Sequence, residues 1–106
     1  MSDVLSELQA VLESRKTADP KQSYVASLYQ GGDSKILKKL GEEAVEVIIA
    51  GQGQAREAVV YEMADLWFHA LVLLTHKGIP ASEVMDELAR RFGVSGIDEK
   101  ASRVNK

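Results

Sequence analysis

The chain has no cysteine among its 106 residues. That excludes disulfides, a thiolate nucleophile and any cysteine-ligated zinc or iron–sulfur centre. It also lacks a surplus of basic residues: the formal net charge is -3, which argues against a general nucleic-acid or acidic-membrane binder, because such surfaces need Lys and Arg in excess. Any anionic substrate must be attracted locally. No uninterrupted apolar run reaches the roughly 20 residues that span a bilayer. The start, MSDVLSELQA, has neither the basic end nor the apolar stretch of a signal peptide. The expected setting is the cytoplasm, with no nucleic acid and no membrane as partner. No segment alternates apolar and polar residues long enough to make a strand, and there is no internal repeat or low-complexity tract.

What the chain does have is ordinary composition, with 45% apolar and 27% charged residues, and a length that suits one domain over residues 1–106. Its dominant pattern is helical. Val4, Leu5, Leu8, Val11 and Leu12 follow the i, i+3, i+4, i+7 rule, with Ser2 or Asp3 placed to cap the start. RKTADPKQS reads as a loop around Pro20, with Asp19 and Ser23 suited to turns and caps. A short helix, SYVASLYQ, is expected to stop at Gly31 and Gly32; a third runs from Asp33 or Ser34 to about Ala50; a fourth from about Ala55 to Lys77; a fifth from Ala81 to about Phe92. The tail from about residue 93 is polar, either loosely held or folded over a neighbour. The fold expected is an all-α bundle of about five helices.

A turn of about 100° per residue places the charges on these helices. On the third, Ile36, Leu37, Leu40, Ala44, Val47 and Ile48 form an apolar arc, with Glu43 at its edge and Glu46 further round at the margin. Lys35, Lys39 and Glu42 continue the polar side. The fourth helix is apolar nearly all round through LWFHALVLL, which predicts a central, buried helix, yet Glu62 and Asp65 interrupt it one turn apart and share a stripe with His69. Two helices thus each offer a carboxylate pair at i, i+3 beside a buried face.

Charge pairs on helices usually decorate a solvated surface, and the fifth helix shows that pattern: Asp86 with Arg90 and Glu87 with Arg91 are i, i+4 pairs with the acid first. KLGEEAVEV, Lys39 to Val47, departs from it. Lys39 and Glu43 stand in the less favourable order, Glu43 and Glu46 repel by a few tenths of a kcal/mol, and Gly41 costs about 1 kcal/mol relative to alanine inside a helix. Gly41 suits the close approach of another helix or a ligand. Burying four carboxylates costs several kcal/mol per unpaired ion unless a cation neutralises them. MADLWFHALVLL brings no Lys or Arg to Glu62 and Asp65, so a metal ion is the simplest counter-charge. Oxygen ligands favour a hard cation, Mg²⁺ with Mn²⁺ able to substitute, over Zn²⁺. The chemistry such a site serves is hydrolysis of a phosphoanhydride, with one or two ions. A di-iron centre is disfavoured, since it needs Glu-x-x-His on each of two helices, and the residues three after Glu43 and Glu62 are Glu46 and Asp65.

Glu43-x-x-Glu46, then 15 residues, then Glu62-x-x-Asp65, resembles the E-x-x-E…E-x-x-D signature of the MazG-like all-α nucleoside triphosphate pyrophosphatases. Within that superfamily, ADPKQSYVASLYQGGDSKILKKLGEEAVEVIIA, EMADLWFHALVLL and RRFGVSGIDEKASR resemble, in order, the segments of the phosphoribosyl-ATP pyrophosphatases of histidine biosynthesis. The match covers about Ala18 to Arg103. The resemblance implies Mg²⁺-dependent cleavage of phosphoribosyl-ATP to phosphoribosyl-AMP and pyrophosphate, in a stand-alone chain that forms a homodimer or an assembly of dimers.

On that reading Glu43, Glu46, Glu62 and Asp65 are the metal ligands, and Glu42 or Glu43 accepts a proton from the attacking water. Lys35 and Lys39 are candidate phosphate contacts. His69 is a partner to the ligands or a satisfied core histidine, and His76 a helix-end group. Trp67 and Phe68 are core or dimer contacts rather than base-stacking platforms. Arg15, Lys16, Lys100 and Arg103 are loop and tail charges within possible reach of phosphates. The alternative activity is housekeeping hydrolysis of ordinary or damaged dNTPs, and the alternative class a non-catalytic helical interaction module.

Overall fold

The cap at Ser23 starts the longest helix: its Oγ accepts from the Ala26 N–H at 3.1 Å, satisfying one donor that the first helical turn leaves without a partner. Asp19 prepares the turn before it, its carboxylate accepting from the Lys21 N–H at 2.9 Å. The computed structural model describes residues 3–93 together with 96, 97 and 100. It contains α1 (Asp3–Ser14), a 3-10 turn (Arg15–Thr17), α2 (Tyr24–Gly51), α3 (Arg56–His76) and α4 (Ala81–Arg90), with no strand among the described residues. Ser2, Arg103 and most of the expected SGIDEKASR motif lie outside those residues.

The all-α expectation holds, but the helix count is four rather than about five. The two helices expected on either side of Gly31 and Gly32 are both present and are counted together as α2; they meet at a kink where the Gly32 backbone is not helical (φ 71°, ψ -164°). That conformation is essentially confined to glycine. Contacts with α3 show what the break achieves. Tyr24 meets His69 and Tyr29 stacks on His76, so the first part of α2 follows α3 in the same direction. Beyond Gly32, Asp33 meets His76 and Lys77, while Glu43 lies beside Asp65. The second part therefore returns antiparallel. Glycine is needed here because the chain changes course without leaving the face of α3.

The core joins Leu12 of α1, Val25, Leu28 and Ile36 of α2, Leu71 and Val72 of α3 and Ala81 of α4. Gln9 ties α1 to the far end of α3: its amide donates to Ile79 O at 3.0 Å and its carbonyl accepts from the Ala81 N–H at 2.8 Å. Helix α3 stops where expected. Gly78 has φ 73°, and the N–H groups of Gly78 and Ile79 bond back to Thr75 O and Leu74 O, which closes the helix with a Schellman motif. On α4, Glu87 bonds both Arg90 and Arg91, and these guanidinium groups hold its carboxyl down at about 2.

One expectation is corrected. Helix α3 is not buried on every side: Val60, Tyr61 and Trp67 are more than half exposed, because α1 and α2 cover only part of its circumference. By length and composition α3 could cross a membrane. Its polar residues Glu62, Asp65 and His69 turn instead toward α2, and charges at the centre of a bilayer are costly.

Candidate metal centre

Residues spaced alternately four and three apart lie on one stripe of a helix. On α2 the inward stripe is Ile36, Leu40, Glu43, Val47 and Ala50, all buried or half-buried. Glu43 is therefore in the middle of the packed face, deeper than the edge position expected of it, and only 9% exposed. The opposing stripe on α3 is Glu62, Asp65, His69, Val72 and His76. Because the second part of α2 runs antiparallel to α3, the carboxylates meet. Glu43, Glu62 and Asp65 each present one oxygen within 4.8 Å of the others.

Three anionic oxygens this close repel one another in a partly dry site. Burial pushes the Glu43 carboxyl above its usual range, and the neighbouring Asp65 raises it further by charge and by hydrogen bonding. Lys39 offsets this weakly, with its Nζ 3.3 Å from Glu42 and 3.8 Å from Glu43. The hydrogen bond to Glu42 is the main reason the Lys39 ammonium is held above its ordinary range. The donor set fits a hard divalent cation: oxygen only, at least two ligands from different helices, and more negative charge than the one nearby lysine balances.

His69 supports the cluster from below and is buried. Its Nδ1 lies 2.8 Å from the carbonyl oxygen of Asp65, which can only accept, so Nδ1 carries the proton. Nε2 lies 2.9 Å from the Tyr24 hydroxyl, which donates to it in the Nδ1–H tautomer. Burial raises the Tyr24 phenol, and the carboxylates of Glu43, Asp65 and Glu42 oppose its ionisation against the pull of Lys39, so the hydroxyl stays a donor. The expectation of a second role for His69, outside the ligand set, agrees with this geometry. Tyr24 was not picked out from the residues themselves. The only signal was the Ser-Tyr segment of the resemblance, since 45 positions separate Tyr24 from His69.

The other candidate residues are less gathered. Glu46, one turn beyond Glu43, is exposed and lies outside the cluster of three; Glu42 and Lys35 are exposed as well. His76 bonds Asp33 at 3.1 Å, a helix-end role as expected. Phe68 packs against the core and meets His69 edge to face. Trp67 is 57% exposed. A Cβ at Gly41 would meet nothing within 4 Å, so no described element of this chain makes the close approach that its sequence position suggests.

Sequence comparison relates the chain to known proteins. A model of the phosphoribosyl-ATP pyrophosphohydrolase family matches residues 5–92. The phosphoribosyl-ATP pyrophosphatase of Methylococcus capsulatus is 55% identical over 101 residues, covering 95% of this chain and 96% of that protein. The phosphoribosyl-ATP pyrophosphatase of Ruthia magnifica is 50% identical over 105 residues, covering 99% of this chain and 100% of its own. That of Hydrogenovibrio crunogenus is 50% identical over 106 residues, covering 96% of this chain and 94% of its own. With opposed carboxylates on α2 and α3 and relatives matched along nearly their whole length, the chain belongs to the phosphoribosyl-ATP pyrophosphohydrolase family.

Proposed function

We propose that this chain hydrolyses 1-(5-phosphoribosyl)-ATP to 1-(5-phosphoribosyl)-AMP and pyrophosphate, the second step of histidine biosynthesis. The observation that carries the reading is identity of 50–55% with phosphoribosyl-ATP pyrophosphatases over nearly the full chain. The convergent oxygens of Glu43, Glu62 and Asp65 supply the chemistry such a reaction needs. They would hold Mg²⁺, or Mn²⁺ in its stead; bound there, the ion screens phosphate charge and acidifies an attacking water. Exposed Glu46 lies one turn away, suited to a second ion or to ion-bound waters. Glu43 or Glu42, the latter exposed and paired with Lys39, would take the proton of the attacking water. Lys39, with its Nζ 3.8 Å from Glu43, borders the cluster, and it and exposed Lys35 one turn before it are candidates for contact with phosphate oxygens.

The working unit is a homodimer in the cytoplasm. Support for the dimer comes from apolar side chains left exposed on the two helices that carry the site: Val45, Ile48 and Ile49 on α2, Val60 and Tyr61 on α3. Light scattering of the purified chain tests this, and a mass of one chain at micromolar concentration would remove it.

Pyrophosphate release tests the activity. With Mg²⁺, phosphoribosyl-ATP is expected to turn over, and EDTA to abolish the reaction. Turnover of dNTPs with none of phosphoribosyl-ATP would select the housekeeping reading instead. No turnover of either, together with no Mg²⁺ binding, would leave a helical interaction module.

A further inference from the structure

A cavity of about 550 Å³ opens between the 3-10 turn and the start of α2, lined by Arg15, Asp19, Gln22, Ser23, Tyr24 and Phe68 among others. Its volume falls in the range of small-molecule sites. Tyr24 is the wall shared with the cluster: half its surface is exposed, and its hydroxyl is clamped to His69, whose Nδ1 lies 3.8 Å from the Asp65 carboxylate. Phe68, edge to face with His69, continues that wall. Tyr24 and Phe68 thus connect the lining of the cavity to His69, and through His69 to Asp65 of the carboxylate cluster.

The lining indicates what would extend there. Arg15 is its one cation, and the guanidinium has no ion-pair partner among the described residues. The next residue, Lys16, is by contrast tied to Glu13 at 3.1 Å. Asp19 lines the same cavity with one carboxylate oxygen accepting from the Lys21 N–H, and it forms no ion pair with Arg15 among the described residues. Of the two other cavities described, one is lined by Glu13 and no basic residue, and the other by apolar residues and Trp67. The substrate proposed above carries anionic charge at two separate places, the reacting triphosphate and a monophosphate on the added ribose.

We propose that this cavity is the subsite for the ribose 5-phosphate end of the substrate, with Arg15 as its phosphate-binding cation and Tyr24 as the partition between it and the reacting phosphates. The assignment rests on the hydrolase reading. It explains how a site whose metal ligands suit any nucleoside triphosphate would select one carrying an extra phosphoribosyl group, since a planar guanidinium pairs with phosphate through two parallel hydrogen bonds.

Two measurements test it. In steady-state kinetics, Arg15→Gln is expected to raise KM for phosphoribosyl-ATP roughly 10- to 100-fold, the scale of a lost charged hydrogen bond, while kcat changes little and Arg15→Lys restores part of the loss. The same compound stripped of its ribose 5-phosphate should already have the high KM, with no further rise in Arg15→Gln. In a separate NMR titration without turnover, ribose 5-phosphate is expected to bind the wild-type chain and not Arg15→Gln. An unchanged KM in Arg15→Gln, or an equal rise for the dephosphorylated compound, would overturn the subsite while leaving the hydrolase reading intact. Failure of the wild-type chain to turn over phosphoribosyl-ATP would overturn the hydrolase reading, and absence of ribose 5-phosphate binding the subsite.

Discussion

Glu43→Gln is expected to lower pyrophosphate release by at least roughly 100-fold, since even the outer partners of metal ligands cost 10- to 100-fold when removed. The metal-free protein is expected to melt no lower than wild type. Both effects follow from one geometry. Glu43 is buried in the packed stripe of α2 with the oxygens of Glu62 and Asp65 close by, so without a cation its charge opposes folding.

The pH dependence has a definite sign. The Glu43 carboxyl is raised in the folded protein, by burial first and then by Asp65. Its contribution to stability is therefore fully present below the ordinary carboxylate range and is lost as the pH rises through the raised value. Glutamine does not titrate. In EDTA, the variant should gain on wild type as the pH rises from acid toward neutral, and the two should converge in acid. Adding Mg²⁺ should raise the wild-type melting temperature by linkage, about 2.7 kcal/mol at a hundredfold excess over Kd, with a smaller rise in the variant. Full activity in Glu43→Gln, or a variant that melts well below wild type at neutral pH without metal, would count against the assignment.

The second large effect concerns the fold. Leu28→Ala is expected to destabilise the chain by roughly 3–5 kcal/mol, the range for a buried leucine whose surroundings cannot collapse into the space left. Leu28 has no exposed surface and sits where α1, both parts of α2 and α3 meet, in one cluster with Leu12, Ile36 and Val72. Against a typical total of about 5–15 kcal/mol, such a loss threatens the folded state itself. Denaturant melts at constant slope measure it. A change below about 1 kcal/mol would show that Leu28 does not hold these helices together.

Helical elements were legible because their signals are local. The spacing of Val4, Leu8, Val11 and Leu12, the cap at Ser23 and the stop at Gly78 depend on residues within a turn or two of each other. The acidic motif was legible for a similar reason, as an i, i+3 repeat on a helix can be assigned to a face by angle alone. Angle alone puts Glu43 at the edge of the buried face rather than its middle, because apolar neighbours on α2 do not reveal which side α3 covers. The apolar composition of α3 suggests an enclosed helix, since composition does not reveal how many helices are present to cover it.

The sequence by itself determined an all-α chain, its helix ends and the carboxylates that α2 and α3 carry. Tertiary structure alone decided which of them converge: the Gly32 break returns α2 antiparallel along α3, bringing Glu43 to Glu62 and Asp65 and leaving Glu46 outside in solvent. It also decided that Tyr24 would clamp His69 and that Arg15 would line the neighbouring cavity. The reason is physical. Periodicity reports the phase of one helix about its own axis, whereas the meeting of side chains from two helices depends on the direction and register in which the core packs them.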